Sequence, residues 1–416
     1  MVPVFMIFVL CILFAIDLYT FQGFRLLIAG AGTWYKFMVY AYWMISILLP
    51  LAFIIFMARN RYQHQLPGVG VFIGNLWLIL LVSKLVFIVF LFMEDISRVS
   101  GFLFSKISSL VDSSKATDSV SIASRRKFIS QVALGIASLP FASLIYGVVA
   151  GRFNYKIHRL TLHFPDLPDA FDGFKITQIS DVHSGSFDSK EGVIKGLEMI
   201  KSLDSDLLVF TGDLVNTFSE EFDPWIDEFK KLRAPYGQFS ILGNHDYGEY
   251  AEWKSQDEKQ SNFERIKAHH DSIGFRLMLD ESVRIEKEGA HLQLLGVENW
   301  GQGFGQRGNL AKALSDVGEE DFKILLSHDP THWEYQVKKH PQQIHLTLSG
   351  HTHGMQMGVE IPGFRWSPAQ YRYPKWAGHY EENDRHLYIN RGFGVLGFRG
   401  RAGIWPEITQ IELRKA

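Results

Sequence analysis

Residues 1–93 are almost all apolar, a strong asymmetry in a chain that is 47% hydrophobic overall. Phe37–Ala58 and Val71–Met93 are each long enough, at about 1.5 Å per helical residue, to cross a bilayer core of about 30 Å, so both are expected to be membrane spans. Val2–Leu18 is shorter and is interrupted at Asp17; it reads as a span running on past Tyr19 rather than a signal segment. A fourth apolar stretch, Phe128–Ala150, is richer in small residues and is introduced by Ser124-Arg125-Arg126-Lys127-Phe128-Ile129. That hexapeptide resembles a twin-arginine export signal, although the basic cytoplasmic flank of a last helix is the more frequent origin of such a cluster.

Either origin puts Arg125–Lys127 in the cytoplasm. The expected organisation is therefore three transmembrane helices within 1–95, a cytoplasmic connector at 96–127, a fourth helix at 128–150 and a folded domain at 151–416 on the extracytoplasmic face of the cell's inner membrane. Arg98, Lys106, Lys115 and Arg125–Lys127 make the connector the most basic loop, against Arg59 and Arg61 between the second and third spans. Only Asp17 and Lys84 are charged within the first three spans, too few to argue for an ion path. The single cysteine, Cys11, allows no disulfide within one chain. A net charge of −2 gives no electrostatic case for nucleic-acid binding.

Beyond Gly151 five short motifs follow one another: Asp181-Val182-His183, Gly212-Asp213, Gly243-Asn244-His245-Asp246, a lone His328, and Gly350-His351-Thr352-His353. Each comes just after an apolar or β-branched run, at Phe174–Ser180, Asp206–Thr211, Gln238–Leu242, Phe322–Leu326 and Ile344–Leu348, so the polar residues are expected where strands end. Lys190–Leu203 sets Val193, Leu197 and Ile200 on one helical stripe, and Phe263, Ile266 and Ile273 form another, so strands and helices alternate.

Carboxylate, imidazole and amide donors without thiols suit two hard or borderline divalent cations, one carboxylate bridging them. Two such cations bring four positive charges against two aspartates, so a centre with bound hydroxide still attracts an oxyanion such as phosphate. One Asp-x-His is a weak signal; five motifs in this order are a strong one.

In that order of motifs the chain resembles the calcineurin-like metallophosphoesterase superfamily from about Lys156 onward. The resemblance implies an α/β four-layer sandwich, two mixed β-sheets flanked by helices, here preceded by a bundle of about four transmembrane helices. It implies that Asp181, His183, Asp213 and His353 hold a first metal and that Asp213, Asn244, His328 and His351 hold a second, of manganese, iron or zinc type. His245 would face the phosphoryl group and protonate the leaving group, with Asp246 as its orienting carboxylate.

Other features have plainer readings. Gly392-Phe393-Gly394-Val395-Leu396-Gly397 spells a dinucleotide fingerprint, but Arg399–Gly403 is loop-like where that motif needs a helix. His269, His270, His332, His340 and His345 are read as surface or structural. Asp329 is a weaker alternative to Asp246 as a carboxylate that fixes an imidazole. Arg365, Tyr371, Arg372, Lys375, Trp376 and Arg391 could hold a phosphate or headgroup, or be solvated loop residues, and Trp366 and Trp376 could rest on the membrane surface.

The expected function is hydrolysis of a phosphodiester or pyrophosphate bond, of a phospholipid or nucleotide-linked glycolipid, by metal-activated hydroxide at a membrane. Asp213-Leu214-Val215-Asn216 lacks the Asp-Arg-Gly continuation of phosphoprotein phosphatases. The alternatives are a phosphomonoesterase or nuclease of the same superfamily and a non-catalytic metal-binding scaffold.

Overall fold

The computed structural model describes residues 2–59, 68–111 and 122–416. Arg61, Lys115 and the middle of the expected connector lie outside the described residues. Two compact units are formed, one ending at Ile145 and one beginning at Tyr146.

The first unit is helical: α1 (Val2–Ile28), α2 (Trp34–Arg59), α3 (Gly68–Val111) and most of α4 (Ile122–Val149). All four are long and apolar enough to cross a membrane, and the protein is a multi-pass membrane protein. The third helix does not stop at Met93 but continues through Arg98 and Lys106, so much of the stretch read as a connector is helical. The two charges noted within the spans meet: Lys84 Nζ lies 2.5 Å from Asp17 Oδ1 and 2.9 Å from Ser46 Oγ. Pairing them keeps either from being a lone charge in hydrocarbon.

The second unit is built from fourteen strands among the described residues. They are β1 (Lys156–Phe164), β2 (Lys175–Ile179), β3 (Leu207–Thr211), β4 (Gln238–Ile241), β5 (Arg276–Leu277), β6 (Glu281–Lys287), β7 (Ala290–Gly296), β8 (Lys323–Leu326), β9 (Leu346–Ser349), β10 (Val359–Ile361), β11 (Phe364–Trp366), β12 (Gly378–Glu382), β13 (Arg385–Ile389) and β14 (Glu407–Lys415). One six-stranded sheet runs β1-β14-β2-β3-β4-β5 and another β12-β13-β9-β8-β7-β6, while β10 and β11 form a separate hairpin. Both sheets are mixed: β2, β3, β4 and β5 pair in parallel, as do β7, β8, β9 and β13, with antiparallel partners at β14, β6 and β12.

Hydrophobicity explains the layering. Every residue of β3, β8 and β9 is buried, as central parallel strands covered on both faces require. Between the sheets, Ile176, Val209 and Ile241 meet Leu294, Ile324, Leu326 and Leu348. On the outside of the first sheet lie Val193, Leu197 and Ile200 of helix α5 (Lys190–Lys201), together with Ile266 of the helix Gln256–Ser272. Outside the second sheet, Leu310, Leu314 and Trp333 cover Leu295, Leu325 and Ile389. Each such side chain taken from water contributes roughly 1.5–3 kcal/mol. The four-layer sandwich is thus as expected. The half-buried, charge-bearing β6 and the exposed β10–β11 hairpin add to the strands read from sequence.

Candidate metal centre

In each sheet the parallel strands run toward one end, and there the loops after β2, β3, β4, β8 and β9 converge. Five of the motif residues have a left-handed backbone: Asp181 (φ 51°), His183 (45°), Asp213 (62°), His351 (71°) and His353 (50°). Asp and His tolerate this region better than most residues, but it remains a strained choice that clusters at functional sites. The loops also approach closely: a Cβ on Gly350 would lie 1.9 Å from Ser180 Oγ and 2.3 Å from Asp181 Oδ2.

Two groups of donors result. The ligand-type atoms of Asp181, His183 and His353 lie within 4.8 Å of one another, and so do those of Asp213, His328 and His351. His183 Nε2 is 3.0 Å from His353 Nε2, and His353 Nε2 is 3.2 Å from Asp181 Oδ1. Asp213 joins the groups: its Oδ2 is 3.5 Å from His183 Nε2 and 3.2 Å from His328 Nε2. Asn244 Oδ1 lies 2.8 Å from His351 Nδ1, beside His328 Nε2 at 3.3 Å from the same nitrogen.

Outer contacts set which imidazole nitrogen faces inward. A backbone carbonyl can only accept, so Nδ1 of His183 donates to Val215 O (3.2 Å) and Nδ1 of His328 to Thr211 O (2.7 Å), leaving each Nε2 for the centre. His351 is turned the other way, its Nε2 toward Tyr373 Oη at 2.7 Å and Asp329 Oδ2 at 3.3 Å. Arg401, fully buried, donates to the carbonyls of Gly392 and Gly394, and its Nη2 lies 3.2 Å from His353 Nδ1.

Electrostatically the cluster is a buried anionic hole. Burial opposes ionisation of Asp181 and Asp213, yet His353 beside the first and His328 beside the second hold both carboxyls below the usual range. Burial pushes His183 and His351 down, toward neutral imidazoles with free lone pairs. Burial would lower His328 too, but the Asp213 carboxylate outweighs it and raises the ring to about 10. Two carboxylates, the neutral imidazoles of His183 and His351, and His328, whose proton a cation would displace, form a donor set that divalent cations fit.

His245 and Asp246 differ from expectation in one respect. The His245 ring donates from Nδ1 to Asn216 O at 2.7 Å and stacks on Tyr250 with centroids 4.4 Å apart. Asp246 does not orient that ring. Its buried carboxylate accepts backbone N–H groups of Gly243 (2.8 Å), Asp213 (3.0 Å) and Leu214 (2.9 Å), because the tight turn at Gly243 folds it back under the Asp213 loop. Asp329, the lesser alternative, is the carboxylate that faces an imidazole.

Of the histidines read as surface or structural, His332 packs on Trp300, and His345 accepts Lys323 N–H. His269 and His270 are buried in their helix, not on the surface. Of the basic late-loop residues, Arg391 is tied to Glu407 and Glu360, Lys375 to Glu334 and Glu382, and Arg372 to Gln302 O. Tyr373, Tyr250, Asn216 and Arg401 escaped sequence reasoning. A further group, His379, Glu381 and His386, lies on the β12–β13 pair, at the start of β13 rather than at its site-bearing end.

A metal-ligand cluster at the ends of parallel strands, on a chain with four membrane-crossing helices, defines a membrane-associated metal-dependent phosphoesterase. Comparison with known families gives the same class. Residues 174–355 match the model of the calcineurin-like phosphoesterase family, and residues 3–152 match that of the probable calcineurin-like phosphoesterase transmembrane domain. The chain belongs to the calcineurin-like metallophosphoesterases. It is 31% identical to the metallophosphoesterase YkuE of Bacillus subtilis over 252 residues, 60% of this chain and 82% of that one. To YkoQ of the same organism it is 23% identical, over 67% of this chain and 97% of the other. To LpxG of Chlamydia trachomatis, named as a UDP-2,3-diacylglucosamine pyrophosphatase, it is 27% identical over 63% of this chain and 92% of the other.

Proposed function

We propose that Asp181, His183, Asp213 and His353 hold one divalent cation and Asp213, Asn244, His328 and His351 a second, of manganese, iron or zinc type, and that the site cleaves a phosphodiester or pyrophosphate carried by a lipid. The observation that carries this reading is Asp213 Oδ2, which lies between an imidazole of each group at 3.5 and 3.2 Å.

A cation pair held so would supply Lewis acidity and lower the pKa of water toward neutrality. The protein's own part is positional. Thr211 O and Val215 O fix the tautomers of His328 and His183, Asp329 and Tyr373 fix His351, and Asp246 holds the Asp213 loop. His245 spends Nδ1–H on Asn216 O, so Nε2 is the position from which the imidazolium gives a proton to a departing alkoxide.

The pyrophosphatase name of LpxG, and Asp213-Leu214-Val215-Asn216 in place of the Asp-Arg-Gly of phosphoprotein phosphatases, favour a diester or pyrophosphate over a monoester. The name of LpxG and the four spans favour a lipid-borne substrate, since tethering raises the local concentration of anything in the same bilayer. Arg125–Lys127 at the start of α4 support an inner-membrane anchor in 1–95 and 128–150, with the hydrolase, 151–416, on the extracytoplasmic face. The test is to purify the full chain, measure bound metal, and assay phosphodiesters, lipid pyrophosphates and monoesters with and without chelator. Chelator-sensitive turnover strongest on the first two is expected; protein without transition metal, or turnover indifferent to chelator, overturns the proposal.

A further inference from the structure

The β10–β11 hairpin, which follows the last motif, has its faces reversed. Val359 pairs with Trp366 and Ile361 with Phe364, so these four side chains share one face. All four are exposed, Ile361 by 58% and Phe364 by 54%. The charged residues take the opposite face and, though also exposed, bond to the protein. Glu360 accepts from Nε (3.1 Å) and Nη2 of the buried Arg391, and Arg365 donates to Ala377 O at 2.7 Å with its guanidinium 5.2 Å from the Trp376 ring centre. A ribbon meant for water has the opposite pattern, apolar side chains inward and charge outward. Four contiguous apolar side chains turned outward mark an interaction surface.

The hairpin's attachments say what that surface meets. At its base, Gly358 N–H donates to Ala402 O at 2.9 Å. The next residue back, Arg401, donates its own N–H to Gly147 O at 3.1 Å, and Trp405 meets Tyr146 edge-on with centroids 5.9 Å apart. Tyr146 and Gly147 lie in the last turn of α4, a helix apolar and long enough to cross a membrane. Within the second unit, the short segment 401–405 thus joins the hairpin base to Tyr146 and Gly147. On the other side, Ser367 Oγ donates to Gly354 O at 2.6 Å, and Gly354 adjoins His353.

We infer that the apolar face of β10–β11 enters the outer hydrocarbon of the bilayer that α4 crosses, and that it guides lipid-borne phosphoesters to the metal centre. The membrane contact stands on the hairpin's exposed apolar face and its tie to Tyr146 and Gly147; the guidance rests on the function proposed above. Aliphatic residues tipped with a Trp suit the boundary between headgroups and acyl chains.

The test uses the full chain in phosphatidylcholine vesicles with Cys11→Ser and Ile361→Cys, labelled with an environment-sensitive fluorophore, and Glu288→Cys in the β6–β7 turn as a control. The label at 361 is expected to emit as in an apolar medium and to be quenched by spin-labelled lipid, while that at 288 responds to an aqueous quencher. Emission at 361 matching that at 288 overturns the inference. So does an apolar emission that lipid cannot quench and that cross-linking between copies explains. For guidance, Ile361→Asp with Phe364→Asp should lower the ratio of turnover on a vesicle-borne diester to that on soluble bis(p-nitrophenyl) phosphate at least about tenfold, the least expected from removing one apolar side chain from lipid. An unchanged ratio overturns guidance. Absence of turnover on both substrates in the unaltered chain would count against the proposed function, with the label still reading the hairpin.

Discussion

Asp246 lies beneath Asp213 and holds it by the backbone: its Oδ2 accepts the Asp213 N–H at 3.0 Å while its Oδ1 accepts that of Leu214 at 2.9 Å. Asp213 is the carboxylate that faces both donor groups, so a residue outside the donor ring sets the position of the one they share. Asp246→Ala strands buried N–H groups at a cost of about 1–3 kcal/mol each. The expected result is a loss on the order of 3 kcal/mol in unfolding free energy together with reduced bound metal, read by denaturant melts and metal analysis. A normal melt with only turnover affected would return Asp246 to the role of ring orienter.

His245→Ala should behave in the opposite way. Turnover is expected to fall about 10²–10⁴-fold, the usual contribution of a positioned proton donor, with metal content and stability retained. The deficit should shrink for a p-nitrophenyl ester, whose leaving group needs no proton; steady-state kinetics on both ester types would show an equal deficit if the ring does something else.

Asp213→Asn removes the shared charge, so both cations rather than one should be lost on dialysis, as metal analysis would count. The pH dependence of the metal-free protein follows from His328. Its pKa is raised to about 10 despite burial, by Asp213, so its stabilising contribution is complete below the ordinary imidazole value and is lost as pH rises through about 10. The melting temperature of chelated protein should therefore fall across that alkaline window. Metal-loaded protein should not follow it, and metal uptake at neutral pH should release protons, detectable by calorimetry in buffers of different ionisation enthalpy.

Glu407 gives an acid counterpart away from the centre. Buried and opposed by that burial, its carboxyl is nonetheless held down to about 2, chiefly by Arg391, whose Nη1 is 2.5 Å away. A depressed carboxyl stabilises the fold above its unfolded pKa and ceases to do so as pH falls through the folded value. Stability on the order of 3 kcal/mol should be lost between about pH 4.5 and 2. Glu407→Gln, which leaves Arg391 buried beside a neutral partner, should cost about 3–5 kcal/mol at pH 7 and flatten that acid limb in denaturant titrations.

The site was legible where chemistry and local structure coincide. β2, β3, β4, β8 and β9 are short apolar runs each followed within three residues by Asp, Asn or His, so strand and polar residue are read together. What could not be read is what the chain brings from afar. β14 inserts between β1 and β2, Arg401 reaches His353 from 48 residues away, and Tyr373 reaches His351 from a loop with no periodicity. Asp246 was misjudged because adjacency in sequence says little about direction in a tight turn. No helix follows the Gly392–Gly397 run, whose use was hidden in sequence: Gly394 passes so near the Val182 carbonyl that a Cβ would lie 1.9 Å from that oxygen.

The left-handed backbone at Asp181, His183, Asp213, His351 and His353 has a bearing on how such chains age. A side chain in that conformation is under steric tension that glycine relieves, so only continued use of the imidazoles and carboxylates resists their replacement. A descendant that had retired from chemistry would be released at these five places first and would drift there toward glycine or asparagine while its hydrophobic layers stayed intact. Backbone tension therefore keeps a record that separates working descendants from idle ones before any assay is run.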